Sequence, residues 1–305
     1  MPGIVIIGAG FGGIGMAIAL KRAGYHDFVI LEKSDDLGGT WYDNQYPGCA
    51  CDVPSPLYSY SFELNPSWSR LFAPRQEIWE YLRTCARKYG VDEHIRYGRT
   101  VEQMDWDEGA RRWNIAARGG QPELYVARAV VSAAGFSHLP SGPDIPGAAR
   151  FGGPSFHSAR WDHSCDLAGQ RVAVIGTGAS AIQIIPEVAR QVRQLQVFQR
   201  TPPWVLPRTD TAIPDRLRRT FETVPLTARA SREAIYWALE ARAFGFAVHP
   251  KLMAPLEQMA RRLIQKQIAD PALRAKVTPD YTIGCKRILL SSEYYPALQR
   301  PDVEL

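Results

Sequence analysis

Cysteine is scarce in this chain of 305 residues: there are five, and none sits in a CxxC pair. That spacing argues against a structural metal centre. Cys49 and Cys51, one residue apart, make poor disulfide geometry, so a reduced, cytoplasmic protein without a metal is expected. Long apolar runs are lacking too. The most apolar helical stretch, residues 234–248, is cut by Glu240 and Arg242, well short of the ~20 apolar residues a membrane span needs. No basic segment precedes the first apolar run, which therefore reads as a strand and not as a signal peptide. Low-complexity tracts and blocks of one charge are missing as well. The net charge of +5 is spread along the chain, which suits anionic small molecules better than nucleic acid. With 46% apolar and 22% charged residues, the composition excludes disorder for most of the chain. The length predicts about two domains.

What is present begins at once. Ile4-Val5-Ile6-Ile7 has the continuous apolar character of a strand buried on both faces. Gly8-Ala9-Gly10-Phe11-Gly12-Gly13 follows as a complete GxGxxG. A helix pattern then runs to Ala23, with Gly24 placed to stop it, and a second strand, Phe28 to Leu31, ends at Glu32. This is a whole βαβ fingerprint: the glycines permit the tight turn and the approach of a pyrophosphate to the helix N-terminus. Gly8, Gly10 and Gly13 are the expected cradle. Glu32 lies where a carboxylate accepts from an unmodified ribose, which suits FAD or NAD.

The pattern recurs. Arg171 to Ile175 reads as a strand, Gly176-Thr177-Gly178-Ala179-Ser180-Ala181 as GxGxxA, and Leu195 to Phe198 as the next strand, followed by Arg200-Thr201. Glu32 comes 22 residues after Gly10, and Arg200 comes 22 residues after Gly178. One structural position thus carries an acid in the first unit and a cation in the second. A carboxylate there repels a 2′-phosphate, and a guanidinium pairs with it. The first unit should take FAD or NAD and the second NADP, so a flavoprotein reduced by NADPH is expected. A solvated surface arginine is the plainer reading of Arg200.

Between the two units, Arg75 to Tyr89 reads as a helix closed by Gly90. Val101 to Trp106, Trp113 to Arg118 and Glu123 to Val126 read as an antiparallel meander, and Ala129 to Ala134 as a return strand. A Pro- and Gly-rich linker follows. Residues 212–275 read as mostly helical and broken by Pro225, Pro250 and Pro255. The expected fold is α/β, with two Rossmann-like dinucleotide-binding domains: FAD in 1–140, a linker in 141–169, and NADP in 170–305 with a helical insertion at about 210–278.

The linker carries the sharpest motif. Phe151, Gly153, His157, Trp161 and Asp162 match FxGxxxHxxxW[PD], and the chain thereby resembles the type I Baeyer–Villiger monooxygenases. N- or S-oxidising flavin monooxygenases are the alternative, and Trp161-Asp162 argues against them. On the residues alone, His157 reads as a linker histidine, and Lys286-Arg287 as an ordinary basic pair. The resemblance implies more. Gly38-Gly39-Thr40-Trp41 would surround the flavin, Asp52 and Tyr58 would contact FAD, and Val101 is a further candidate cofactor contact. Thr177, Ala179, Ser180, Arg200, Thr201 and Lys286 would hold NADP. Arg287 would be catalytic, partnered by Asp52. The implied activity uses NADPH and O2 to turn a ketone into an ester or lactone through a C4a-peroxyflavin, with a small-molecule ketone as partner and neither nucleic acid nor membrane. The family's chain also returns to finish its FAD domain. This sequence stops at Pro301 to Leu305 before that return. An incomplete FAD domain is therefore expected, with the second unit ending one strand early. That leaves a truncated, non-catalytic nucleotide-binding remnant as a second reading.

Overall fold

The computed structural model describes residues 2–247 and 250–305, so the apolar stretch read at 234–248 ends outside the described residues. Packing divides the chain into two units, 1–45 with 75–161 and 46–74 with 162–305.

In the first unit, β1 (Ile4–Ile7) leads into α1 (Phe11–Arg22) and β2 (Phe28–Leu31). The short α2 (Thr40–Asp43) and the longer α3 (Arg75–Lys88) follow, then β3 (Ile95–Arg96). The meander is β4 (Thr100–Asp107), β5 (Arg112–Gly119) and β6 (Gln121–Ala127), and β7 (Ala129–Ser132) returns to the sheet. The sheet order is β3-β2-β1-β7, all parallel. Every residue of β2 is buried, as its unbroken apolar run requires. The helix α3 buries Ile78, Tyr81, Leu82, Cys85 and Ala86, the one-sided spacing of an amphipathic helix. The meander covers the sheet: Ile115, Ala117 and Ala127 pack with Val5, Val29 and Leu31. β7 ends two residues before the expected Ala134, because its last partner on β1 is Ile7, paired with Ser132.

The second unit opens its sheet with β8 (Arg171–Ile175), α4 (Ala181–Ala189) and β9 (Gln194–Phe198). After β10 (Val205–Leu206) come α5 (Asp215–Thr223), α6 (Pro225–Ala247), α7 (Ala254–Gln267) and α8 (Pro271–Val277). β11 (Leu289–Leu290), α9 (Tyr294–Leu298) and β12 (Val303–Glu304) complete it. The parallel order is β12-β9-β8, and β10 pairs separately with β11. Thus β12 supplies a third strand beside β9, and β8 has no strand on its other side among the described residues. The helical region is broken at the three expected prolines, each at the start of the next helical segment, with Pro250 opening a short 3-10 turn. Pro225 opens α6 and Pro255 lies in the first turn of α7, where a missing N–H costs nothing. A second core gathers Trp204, Leu206, Met253, Ala260 and Ile283.

The linear division expected from sequence changes in two places. Residues 46–74 pack with the second unit, and the first unit runs on to Trp161, so the boundary falls inside the 151–162 motif. Backbone pairing explains the first change. Leu71 N–H donates to Thr211 O at 2.9 Å, Ile213 N–H donates to Ser69 O at 2.8 Å, and Arg70 pairs with Asp210 at 3.1 Å. Contacts over such sequence distances leave no local signal.

Candidate dinucleotide sites

The first site is built where β1 gives way to α1. Gly8 sits at φ +98°, and a Cβ there would meet Ala133 O at 2.7 Å. A Cβ on Gly13 would lie 1.8 Å from Gly8 O, so only glycine lets the helix close this tightly over the turn. Gly10 is the N-cap residue and makes no side-chain cap. The first N–H groups of α1 are therefore left for an anion, with the helix dipole behind them. Gly38 N–H donates to Ala9 O at 2.9 Å and pins the 38–41 loop across the turn. Gly39, at φ +53°, would bring a Cβ to 3.2 Å from Gly10 Cα. Thr40 is exposed. Trp41 is buried, and its carbonyl accepts from Arg75 at 3.0 Å.

Glu32 ends β2 with only 4% of its surface exposed. One carboxylate oxygen accepts the Ala9 N–H at 2.7 Å and the other the Ser34 N–H at 2.9 Å. Its own N–H donates to Arg96 O, and its carbonyl accepts from Arg99. The carboxylate is thus fixed at the lip of the glycine turn. Each oxygen keeps acceptor capacity, which is what a ribose diol needs. Val101, two residues past Arg99, is half-buried against the core beneath.

The second site repeats the plan with more room. Gly176 sits at φ +107°, and neither it nor Gly178 has any heavy atom within 4 Å of an added Cβ. Thr177 is buried and its hydroxyl donates to Thr201 O at 3.4 Å, which ties the turn to the segment after β9. Ala179 is half-buried, and Ser180 begins α4 without a side-chain cap. Arg200 is exposed and makes no hydrogen bond or ion pair among the described residues. A guanidinium with its five donors uncommitted fits an arriving phosphate.

Lys286 and Arg287 follow the loop after α8. Lys286 is exposed, and its ammonium lies 4.8 Å from the centre of the Tyr281 ring. The Tyr281 hydroxyl donates to Pro202 O at 3.0 Å, and Tyr281 O accepts the Trp204 indole N–H at 2.9 Å. Arg287 forms an ion pair with Asp52. Asp52 and Tyr58, expected among the FAD contacts, pack with the second unit; the structure does not gather them with Glu32 inside the first. Gln183, which no sequence motif marks, binds the segment ahead of Asp52. Its amide exchanges two hydrogen bonds with the Ala50 backbone, at 3.1 and 3.3 Å, and accepts from Tyr46 at 3.2 Å. A glutamine on a helix carries no signal that would have marked it.

His157 acts locally. Its Nδ1 accepts the Ala159 N–H at 3.0 Å, capping a short turn over Ser158–Arg160. Asp162 accepts from the Ser164 N–H and hydroxyl, and those bonds hold its carboxyl below the usual range. All five cysteines are free. Burial pushes the Cys51 thiol up to about 12, so it stays protonated and unreactive. Among the described residues there is no cluster of three His, Cys, Asp or Glu able to hold a metal and no helix long and apolar enough to cross a membrane.

Two βαβ units, each opening a glycine turn at the end of a parallel strand, define a dinucleotide-binding fold of the Rossmann type. The sequence model of the pyridine nucleotide-disulphide oxidoreductases matches residues 5–229, and the chain belongs to that family. Within it, the resemblance to Baeyer–Villiger monooxygenases extends over the chain. A Baeyer–Villiger monooxygenase of Streptomyces coelicolor is 51% identical over 302 residues, 99% of this chain and 58% of the relative. One from Pseudomonas aeruginosa is 50% identical over 295 residues, 97% of this chain and 56% of the relative. The crystal structure of OTEMO in complex with FAD and NADP superposes with a TM-score of 0.85 at 31% identity, covering 99% of this chain and 65% of that one. The chain therefore spans less than two thirds of the length of these relatives.

Proposed function

We propose that the first unit holds FAD, the second holds NADPH, and the protein is a Baeyer–Villiger monooxygenase that uses O2 to convert a ketone into an ester or lactone. One observation carries this reading. Two glycine turns bear opposite charges at the ribose position, the buried acid Glu32 and the unpartnered cation Arg200, and the 151–162 motif lies between them in the chain. Both cradles suit the cofactors. Cβ-intolerant glycines and an uncapped α1 would receive the pyrophosphate of FAD, and the open turn at Gly176 to Gly178 would admit that of NADPH.

Bound flavin would supply hydride acceptance from the nicotinamide and activation of O2, the chemistry no side chain can perform. The residues of this chain bind and manage charge. Glu32 would accept from the FAD ribose, and Arg200 with Lys286 would neutralise the 2′-phosphate of NADPH. Arg287 would present a fixed cation to the oxyanion that develops when a ketone carbonyl is attacked. Asp52, paired to it, would orient the guanidinium.

The test is incubation of the protein with FAD, NADPH, 18O2 and a panel of cyclic, linear and aryl ketones, thioethers and amines. Esters or lactones carrying one 18O atom support the reading. Sulfoxides or N-oxides formed from thioethers or amines, with no labelled ester, would overturn it in favour of an N- or S-oxidising enzyme.

A further inference from the structure

Lys286 poses a physical question. An ammonium on a four-carbon stem, exposed and without a hydrogen-bond partner among the described residues, would sample many rotamers and hold a phosphate poorly. It is not loose, because the Tyr281 ring lies beneath it, with the ammonium 4.8 Å from the centroid, inside the range of a cation–π contact. The ring is itself tied at two points. Its hydroxyl donates to Pro202 O at 3.0 Å, two residues from Arg200. Its backbone carbonyl accepts from Trp204, whose side chain is fully buried. Trp204 also meets the Tyr281 ring edge-on, at 6.3 Å and 73°. Burial raises the affinity of the phenol for its proton, so the hydroxyl remains a donor to Pro202.

We infer that Tyr281 is a specificity-determining positioning residue: its ring holds Lys286 and its hydroxyl holds the 200–202 segment, so the two cations meet one 2′-phosphate together. The inference rests on the reading of the second unit as the NADPH site. It goes further in naming a neutral aromatic residue, with no expected cofactor contact of its own, as a source of the preference for the phosphorylated ribose. Cofactor preference would then reside in the geometry of the 281–286 loop as well as in the charges of Arg200 and Lys286.

The experiment is calorimetric titration of the 305-residue chain with adenosine 2′,5′-bisphosphate and with AMP, which differ by the 2′-phosphate alone, at one fixed salt concentration. Tyr281→Leu should reduce the preference for the bisphosphate by about 3- to 10-fold, the scale of one lost cation–π contact and a loosened charge-assisted pair. Binding of AMP should be unchanged, whereas general loosening of the fold would weaken both ligands. Tyr281→Phe, which keeps the ring and folds as the wild type should, is expected to lose less than Tyr281→Leu. In a Lys286→Ala background, Tyr281→Leu should have a smaller effect than in the wild type, because the ring then holds no cation. An unchanged preference in Tyr281→Leu, or an equal loss with and without Lys286, overturns the inference while the NADPH reading stands. A wild-type chain that binds both ligands equally overturns the NADPH reading, and the inference with it.

Discussion

Arg287 donates from Nη2 to Asp52 Oδ2 across 235 positions of sequence. The arginine side chain is 62% exposed and the aspartate 26%, so the pair stands at a surface and does not hold a core together. Such pairs contribute only about 0–1 kcal/mol to stability. Asp52→Asn should therefore leave urea unfolding within about 1 kcal/mol of the wild type. If the pair positions a catalytic cation, the same substitution should lower ester formation and leave flavin reduction by NADPH intact. Arg287→Ala should cost about 10²–10³ in oxygenation, the usual loss when one oxyanion donor is removed. Stopped-flow absorbance separates the two half-reactions, and unaltered ester yield would remove Arg287 from the chemistry.

Glu32 is a different kind of acid. It is buried, and both of its oxygens already serve backbone N–H groups. Glu32→Ala removes the acceptors of Ala9 and Ser34 and should destabilise the first unit by about 1–3 kcal/mol. Loss of FAD binding, followed by flavin fluorescence, should exceed what that destabilisation explains.

The glycines of the two turns should respond in opposite ways. A methyl on Gly13 would sit 1.8 Å from a backbone oxygen, so Gly13→Ala should cost more than about 2 kcal/mol through forced overpacking. Gly178 has open space around its Cβ position and no left-handed backbone. Gly178→Ala should melt within about 0.5 kcal/mol of the wild type, yet weaken NADPH, because the added methyl occupies the approach to the turn. Equal thermal effects of the two substitutions would contradict this assignment of space.

Alkaline pH should weaken the fold. Burial raises the Cys51 thiol from 9.0 to about 12 and moves the phenols of Tyr46, Tyr294 and Tyr295 in the same direction. Each group stays neutral in the native state after its unfolded counterpart has ionised. Its contribution is thus complete below the unfolded value and lost as pH climbs towards the native one. Melting temperature should fall between about pH 9 and pH 12, and Cys51→Ala should flatten the early part of that fall. Thiol-reactive dyes at pH 8 should label the exposed Cys285 and spare Cys51.

Much of this protein is written in local patterns. Val5, Ile6, Val29 and Ile30 advertise doubly buried strands because a parallel sheet covered on both faces demands unbroken apolar runs. The glycine turns are equally legible, since a positive φ at Gly8 or Gly176 excludes most other residues. The equal spacing from Gly10 to Glu32 and from Gly178 to Arg200 sets an acid in one unit against a cation at the same position in the other, a difference carried entirely by the sequence. Other features depended on chain segments far apart in sequence. The transfer of residues 46–74 to the second unit follows from hydrogen bonds such as Leu71 to Thr211, which no periodicity encodes. Pairing of Val205 with Leu289, and of Val303 with Leu195, involves two-residue strands too short to show alternation. Tyr281 and Gln183 acquire their roles only through what folding places beside them. A ring beneath Lys286 and an amide against Ala50 are relations between distant segments, and the identity of either residue alone contains neither.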